Sequence, residues 1–307
     1  MTEDIEDILV NGYRTWRKNL ILGVPHLLDL IASIIVLIIS LILMIFIVVL
    51  PLLSQITRGR FDLSLITFPV LLLLIVLILV TVFLLLLITS FFSAGAIGMT
   101  RRAIETGKTT MSEMIDYGKK KFISLFFVNI IILLLTILGF LFFIPAVIAF
   151  LSKLINVCLS LLILSFAVWM LYLTALEIIL IFVPYAVVVS DLGAIEGIKK
   201  GYRIFMENKL SIIFLWFITL AIGWGCGLII NAITSFMGIL PCIGTLINIV
   251  IWLLYFGFLV MVITPLSTVW WTRLYLDRTI GIKNESSPPE VQPPSQEPSS
   301  SQPEIYI

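Results

Sequence analysis

Four residues that can do chemistry stand inside long apolar runs: His26, Asp29, Asn129 and Glu177. A charged side chain at the centre of a membrane span costs about 2.5–3.5 kcal/mol, so a carboxylate kept there is a candidate functional group. His26 and Asp29 are three residues apart and share a helix face. Asp29 follows Lys18 by 11 residues, Asn129 follows Lys121 by eight, and Glu177 precedes Pro184 by seven. All four therefore fall in the half of the membrane next to the basic connections. Two chemistries are open to them. They form a polar cluster that binds a cation or carries a proton, or they make hydrogen bonds between helices, with His26 at headgroup level. A second set, Lys119, Lys120, Lys121, Lys199, Lys200 and Arg203, flanks the spans. These residues contact anionic lipid headgroups, or they are topology signals on short elbow helices that pack against the bundle.

Other chemistries find no residues. A single histidine excludes a multi-histidine metal site. There is no glycine-rich loop followed by Lys-Ser/Thr, no nucleophile elbow and no dinucleotide fingerprint. The expectation is a non-enzyme with no cofactor. A net charge of +1 gives no reason to expect nucleic acid. Cys158, Cys226 and Cys242 lack paired or metal-ligand spacing and read as small packing residues.

The elements that must position the polar residues are membrane spans. Hydrophobic residues make up 61% of the 307 and charged ones 12%, a balance no soluble domain of this length needs. Six runs exceed the ~18 residues that mark a spanning helix. They cover about 20–53, 65–93, 122–150, 155–189, 210–236 and 245–272. None alternates as a barrel strand would. The predicted fold class is all-α, a polytopic six-helix membrane bundle. Gly23-Val24-Pro25 breaks the chain ahead of the first span, and the Thr264-Pro265 step kinks the sixth. Ser54–Ser64 and Gly238–Gly244 read as connections, and so does Ala94–Lys121, with the capping pattern Thr110-Met111-Ser112-Glu113. In that reading Ser93–Gly98 is a helix end.

With both termini placed in the cytoplasm, all but Arg58, Arg60 and Lys153 of the 19 Lys and Arg lie inside. That is a strong positive-inside bias for a cell-membrane protein. The acidic start, Met1 to Asp7, is unlike the basic start of a cleavable signal peptide. Trp270, Trp271 and Tyr275 match an interfacial aromatic belt. Residues 284–307 hold nearly half of the 13 prolines, with many Ser, Gln and Glu, and read as a disordered cytoplasmic tail. The domains are then 1–19, a cytoplasmic amphipathic segment; 20–283, the transmembrane domain; and 284–307, the tail. Asn284-Glu285-Ser286 has the glycosylation pattern on the cytoplasmic side, where it is discounted. Small residues four apart at Gly223 and Gly227 suit close packing within the chain.

A short pattern recurs three times, counted from Gly12, Gly118 and Gly201. Five residues before each stands an acid (Asp7, Glu113, Glu196), and two after stands a base (Arg14, Lys120, Arg203). Three before and four after stand apolar residues: Leu9 and Trp16, Ile115 and Phe122, Ile198 and Phe205. Positions seven apart share a helix face, so each copy reads as an amphipathic helix leading into a hairpin of two spans. Three such units predict pseudo-symmetry.

Phe182 to Arg203, with Val188-Val189-Ser190-Asp191-Leu192-Gly193 at its centre, resembles a signature of prokaryotic six-span membrane proteins of unknown function. That group includes the membrane domain joined to some glycerophosphodiester phosphodiesterases. Gly201 stands where the group carries a serine. The resemblance implies a six-span bundle and no catalysis, since the phosphodiesterase barrel is missing here. The expected function is a non-enzymatic membrane component that organises lipid or partner proteins. The alternative is a small-solute or ion transporter using Asp29 and Glu177. The expected partners are the lipid bilayer and anionic lipid headgroups.

Overall fold

The computed structural model describes residues 3–49, 53, 68–237 and 243–280. Among these residues every regular element is helical. The helices are α1 (Ile5–Lys18), α2 (Val24–Met44), α3 (Phe68–Thr106), α4 (Met111–Leu138) and α5 (Ile144–Leu151). After them come α6 (Ile155–Leu180), α7 (Val183–Val189), α8 (Ala194–Glu207), α9 (Lys209–Met237), α10 (Ile243–Phe258) and α11 (Thr264–Thr279). Six stretches are long and apolar enough to cross a bilayer: Leu20–Val48, Phe68–Thr106, Met111–Leu151, Ile155–Val189, Lys209–Phe236 and Ile243–Thr279. The protein is membrane-embedded. Helix is the fitting choice, because lipid offers no partner to an unpaired backbone N–H or C=O. A 39-residue helix such as α3 is about 60 Å long, twice the ~30 Å hydrocarbon core, so one end stands beyond it.

Prolines mark where spans restart. Pro25, Pro145, Pro184 and Pro265 each lie in the first turn of a helix, α2, α5, α7 and α11. Their missing N–H costs nothing there. The segment before each relaxes: Leu20–Gly23 and Gly139–Phe143 tighten into 3-10 turns, and Leu259–Ile263 widens into a π turn. The Thr264 hydroxyl donates to the Leu259 carbonyl at 3.0 Å. The disturbance expected at Thr264-Pro265 is thus a wide turn closed by the threonine.

The buried core sits toward the end of the bundle that carries most of the basic residues. It joins α7, the end of α11, the start of α9, and parts of α1, α3, α4 and α8. Toward the other end the side chains of α2, α3 and α6 are largely exposed on the protein surface, as lipid-facing residues are. Two expectations change. Ala94–Thr106 continues α3, buried over Ala94–Thr100, and Ser93–Gly98 lies inside that helix rather than at its end. The small residues admit α4: a Cβ on Gly95 would meet Met114, and one on Gly98 would meet Tyr117. Trp270, Trp271 and Tyr275 face the core, at 6%, 4% and 0% exposure, because α1 and α7 cover them. The Trp270 indole donates to the Leu9 carbonyl at 3.1 Å.

Three short contacts recur. α1 lies on α11, where a Cβ on Gly12 would strike the Trp270 ring. The start of α4 lies on α3, where a Cβ on Gly118 would come within 2.8 Å of Phe91. α8 lies on α7, where a Cβ on Gly201 would come within 2.9 Å of the Val183 backbone. In the fifth span, by contrast, Gly223 and Gly225 face open space, and only Gly227 nears a neighbour, the Tyr255 hydroxyl. The connection at 54–64, the residues 238–242 and the tail 284–307 lie outside the described residues.

An ion pair ties the first helix to the last. Glu3 accepts from Arg273 at 2.7 and 2.6 Å, and the Glu3 side chain is fully buried. The Glu3 N–H donates to Asp277 at 3.0 Å. Glu3→Ala is expected to cost about 3–5 kcal/mol because it strands a buried guanidinium, and adding Arg273→Met should recover part of that. Thermal unfolding in detergent measures both. The same assay should show Gly201→Ala losing about 1–3 kcal/mol through overpacking. Gly225→Ala, with space around it, should gain up to about 1 kcal/mol.

Candidate functional site: a cavity inside the bundle

Where α2, α3, α4, α6, α7 and α11 meet, the bundle leaves a cavity of about 410 Å³. Its wall is mainly aliphatic, with Ile97, Leu125, Ile132, Leu173, Leu176 and Leu180 among the lining residues. Three of the four polar residues singled out from the sequence stand on it: His26 from α2, Asn129 from α4 and Glu177 from α6. Asp29 does not line it. The Thr89 hydroxyl, which does, donates to the Asp29 carboxylate at 3.2 Å.

The polar groups are oriented from behind. Asn129 donates its amide to Ser90 at 2.9 Å, and buried Ser90 passes its proton to the Leu86 carbonyl at 2.5 Å. The Asn129 carbonyl oxygen is left without a protein partner among the described residues. Thr268 gives its one proton to the Thr264 carbonyl at 3.0 Å. Across the 3.4 Å to Thr268, His26 Nε2 is then the donor, which leaves Nδ1 as an acceptor. Tyr185, 8% exposed, and Ser93 also line the cavity, and among the described residues neither hydroxyl has a partner. Glu177 is exposed and unpaired among the described residues, which puts it at the rim.

Sequence reasoning missed Tyr185, Ser93, Thr89 and Thr268. Tyr185 had a signal, since it follows Pro184 inside the resembling stretch. Ser93 sat in the small-residue run taken for a helix end. The two threonines look like any others in an apolar helix.

The basic residues divide. Lys120 and Lys121 both pair with Asp191, at 2.9 and 2.7 Å. Lys121 is buried and also donates to the Leu192 carbonyl. Lys200 donates to Ser190, whose hydroxyl meets that of Tyr275. Lys119, Lys199 and Arg203 are exposed and unpaired among the described residues. Lys199, Lys200 and Arg203 line a groove with Arg278, Glu196 and Glu207. Asp191 explains its own turn. Its φ of 57° is left-handed, a conformation Asp tolerates better than most residues. The Leu192 N–H returns to the Val187 carbonyl at 3.2 Å, closing α7 as a Schellman end.

Taken together, the helices and the cavity between them define a polytopic, helical membrane protein with a binding-sized space open on one side. The chain belongs to the family described as "Domain of unknown function (DUF7847)", which it matches over residues 79–276. That span includes every polar cavity residue except His26. The chain is also 25% identical over 301 residues to an uncharacterized protein of Archaeoglobus fulgidus, a match covering 91% of this chain and 97% of that one. No solved structure matches it.

Hydrogen bonds from Lys121 and then Lys120 pull the Asp191 carboxyl down from 3.8 to about 2. A depressed acid contributes stability that is complete above its ordinary range and is lost as pH falls through the folded value. The melting temperature in detergent should therefore drop between about pH 4 and pH 2. Asp191→Asn, which keeps the left-handed turn, should melt lower at neutral pH and show a shallower drop.

Proposed function

We propose that this protein is a non-enzymatic component of a prokaryotic cell membrane that holds a lipid-like amphiphile inside its helical bundle. One observation carries the reading: an aliphatic cavity of ligand size on which polar groups from several spans converge, those of Tyr185, Ser93 and Glu177 without partners among the described residues. Small-molecule sites have this character, largely apolar with a few placed polar groups, in volumes of about 300–1,000 Å³. In this reading both termini face the cytoplasm, as the distribution of Lys and Arg supports. The chain consists of three units, each an amphipathic helix followed by two spans. The matching glycine contacts at Gly12, Gly118 and Gly201 support that division. Lys119, Lys199 and Arg203 are the residues free to meet anionic headgroups. The Asp191 turn supports extending the kinship to the membrane domain joined to some glycerophosphodiester phosphodiesterases.

A second reading, transport of a small solute or ion, draws on Asp29 being tied through Thr89 to the cavity that holds Glu177. Ion or solute flux in proteoliposomes, lost in Asp29→Asn, would favour it.

The test of the first reading is native mass spectrometry of protein purified from membranes in mild detergent. The wild type should carry a bound amphiphile. Leu173→Trp, which fills the cavity from its wall, should lower occupancy on the order of tenfold, a loss worth about 1.4 kcal/mol. Equal occupancy in the two proteins, or none in the wild type, would refute cavity binding.

A further inference from the structure

We infer that the cavity selects an amphiphile whose polar head carries a positive charge, with Glu177 as its counter-ion. The inference rests on the cavity-binding reading and names the class of ligand.

Glu177 lies in the aliphatic stretch of α6, beside Leu173, Leu176 and Leu180, all on the same wall. No Lys, Arg or His pairs with it among the described residues. The cavity wall itself carries no Lys or Arg among the described residues, and the buried or half-buried bases of the bundle are committed elsewhere. Arg101 bonds to Glu105 and to the Val189 carbonyl, Lys121 to Asp191, and Arg273 to Glu3. A carboxylate within a span is costly unless a cation neutralises it. The rest of the polar wall is rich in acceptors. The Asn129 carbonyl oxygen, the His26 Nδ1 and the hydroxyl oxygens of Tyr185 and Ser93 can each receive a hydrogen bond. An ammonium head offers three donors and no acceptor, so it suits this set, whereas a carboxylate or phosphate head would meet Glu177 with like charge. Tyr185 is more than nine-tenths buried, and its hydroxyl reaches the cavity unpartnered. Buried polar groups are satisfied as a rule. The aliphatic wall accepts the start of the tail, and the rim at Glu177 lets the remainder lie along the outside of the bundle in lipid.

The experiment uses the full chain in nanodiscs of zwitterionic lipid, with empty nanodiscs subtracted. Three probes share one tail: dodecylamine, 1-dodecanol and dodecanoate. Binding is followed by titration calorimetry. The wild type should prefer the amine by on the order of tenfold over the alcohol, with the acid weakest. Glu177→Gln should abolish the amine preference over the alcohol, and Glu177→Asp should retain part of it. The melting temperature of Glu177→Gln should equal or exceed that of the wild type, since an unpaired charge is removed.

If the three probes bind the wild type equally, and Leu173→Trp weakens all of them, the cavity binds amphiphiles but charge selection is wrong. An amine preference that survives in Glu177→Gln also overturns the proposal. If no probe binds any form, both the charge proposal and the cavity reading beneath it fail, and the polar wall holds water alone.

Discussion

The arrangement depends on close packing against three glycines, two met by an aromatic ring and one by a neighbouring backbone. At Gly12, Gly118 and Gly201 a helix crosses the end of a span at a distance that leaves no room for a methyl group. Each crossing fixes part of the cavity. α8 bears on α7, which carries Tyr185. α1 bears on α11, which carries Thr268. The start of α4 bears on α3, and further along the same pair Asn129 meets Ser90. In a membrane the hydrophobic effect does not pull helices together, so packing and hydrogen bonds must do so, and small residues give them contact. The polar wall of the cavity is thus positioned by contacts at the charged end of the bundle, some of them well removed from the cavity itself.

Charge is handled in two ways. At that end several ions are matched, Glu3 with Arg273, Asp191 with Lys120 and Lys121, and Arg102 with Glu113, while Lys119, Lys199 and Arg203 are exposed and unpaired among the described residues. The Asp191 pairs are exposed on the acid's side and are worth little singly. Their value lies in position, because Asp191 closes α7 and at the same time holds α4. Glu3 and Arg273 are buried, and either one alone would be a heavy liability. Glu177 stands apart from these pairs, as an acid set in an aliphatic wall with no base reaching it among the described residues.

Much of the fold was legible in the sequence. The spans announce themselves because lipid demands long apolar helices. The end of the second span was misplaced because Gly95, Gly98, Arg101 and Arg102 look like a connection. They belong to a helix that continues past the hydrocarbon, with Gly95 and Gly98 packed against α4. Trp270, Trp271 and Tyr275 looked like lipid-interface residues because hydropathy does not say what covers a helix. Of the candidate site, the residue types were legible and their meeting was not. Helices that are apolar all round carry little moment to show which face turns inward, so Tyr185 and Thr268 could not be told from their neighbours. The pairing of Glu3 with Arg273 spans nearly the whole chain, and local pattern carries no trace of it.

The seat of α1 on α11 makes the order of synthesis matter. The first helix leaves the ribosome long before its partner exists. Until the last span is inserted, Ile8 and the Glu3 carboxylate have nothing to rest against, and the Gly12 face is open. A chain cut short before Arg273 would therefore display an apolar stripe and an unmatched acid at its very start. That is a local mark of incompleteness, which cellular quality control could read without inspecting the spans themselves.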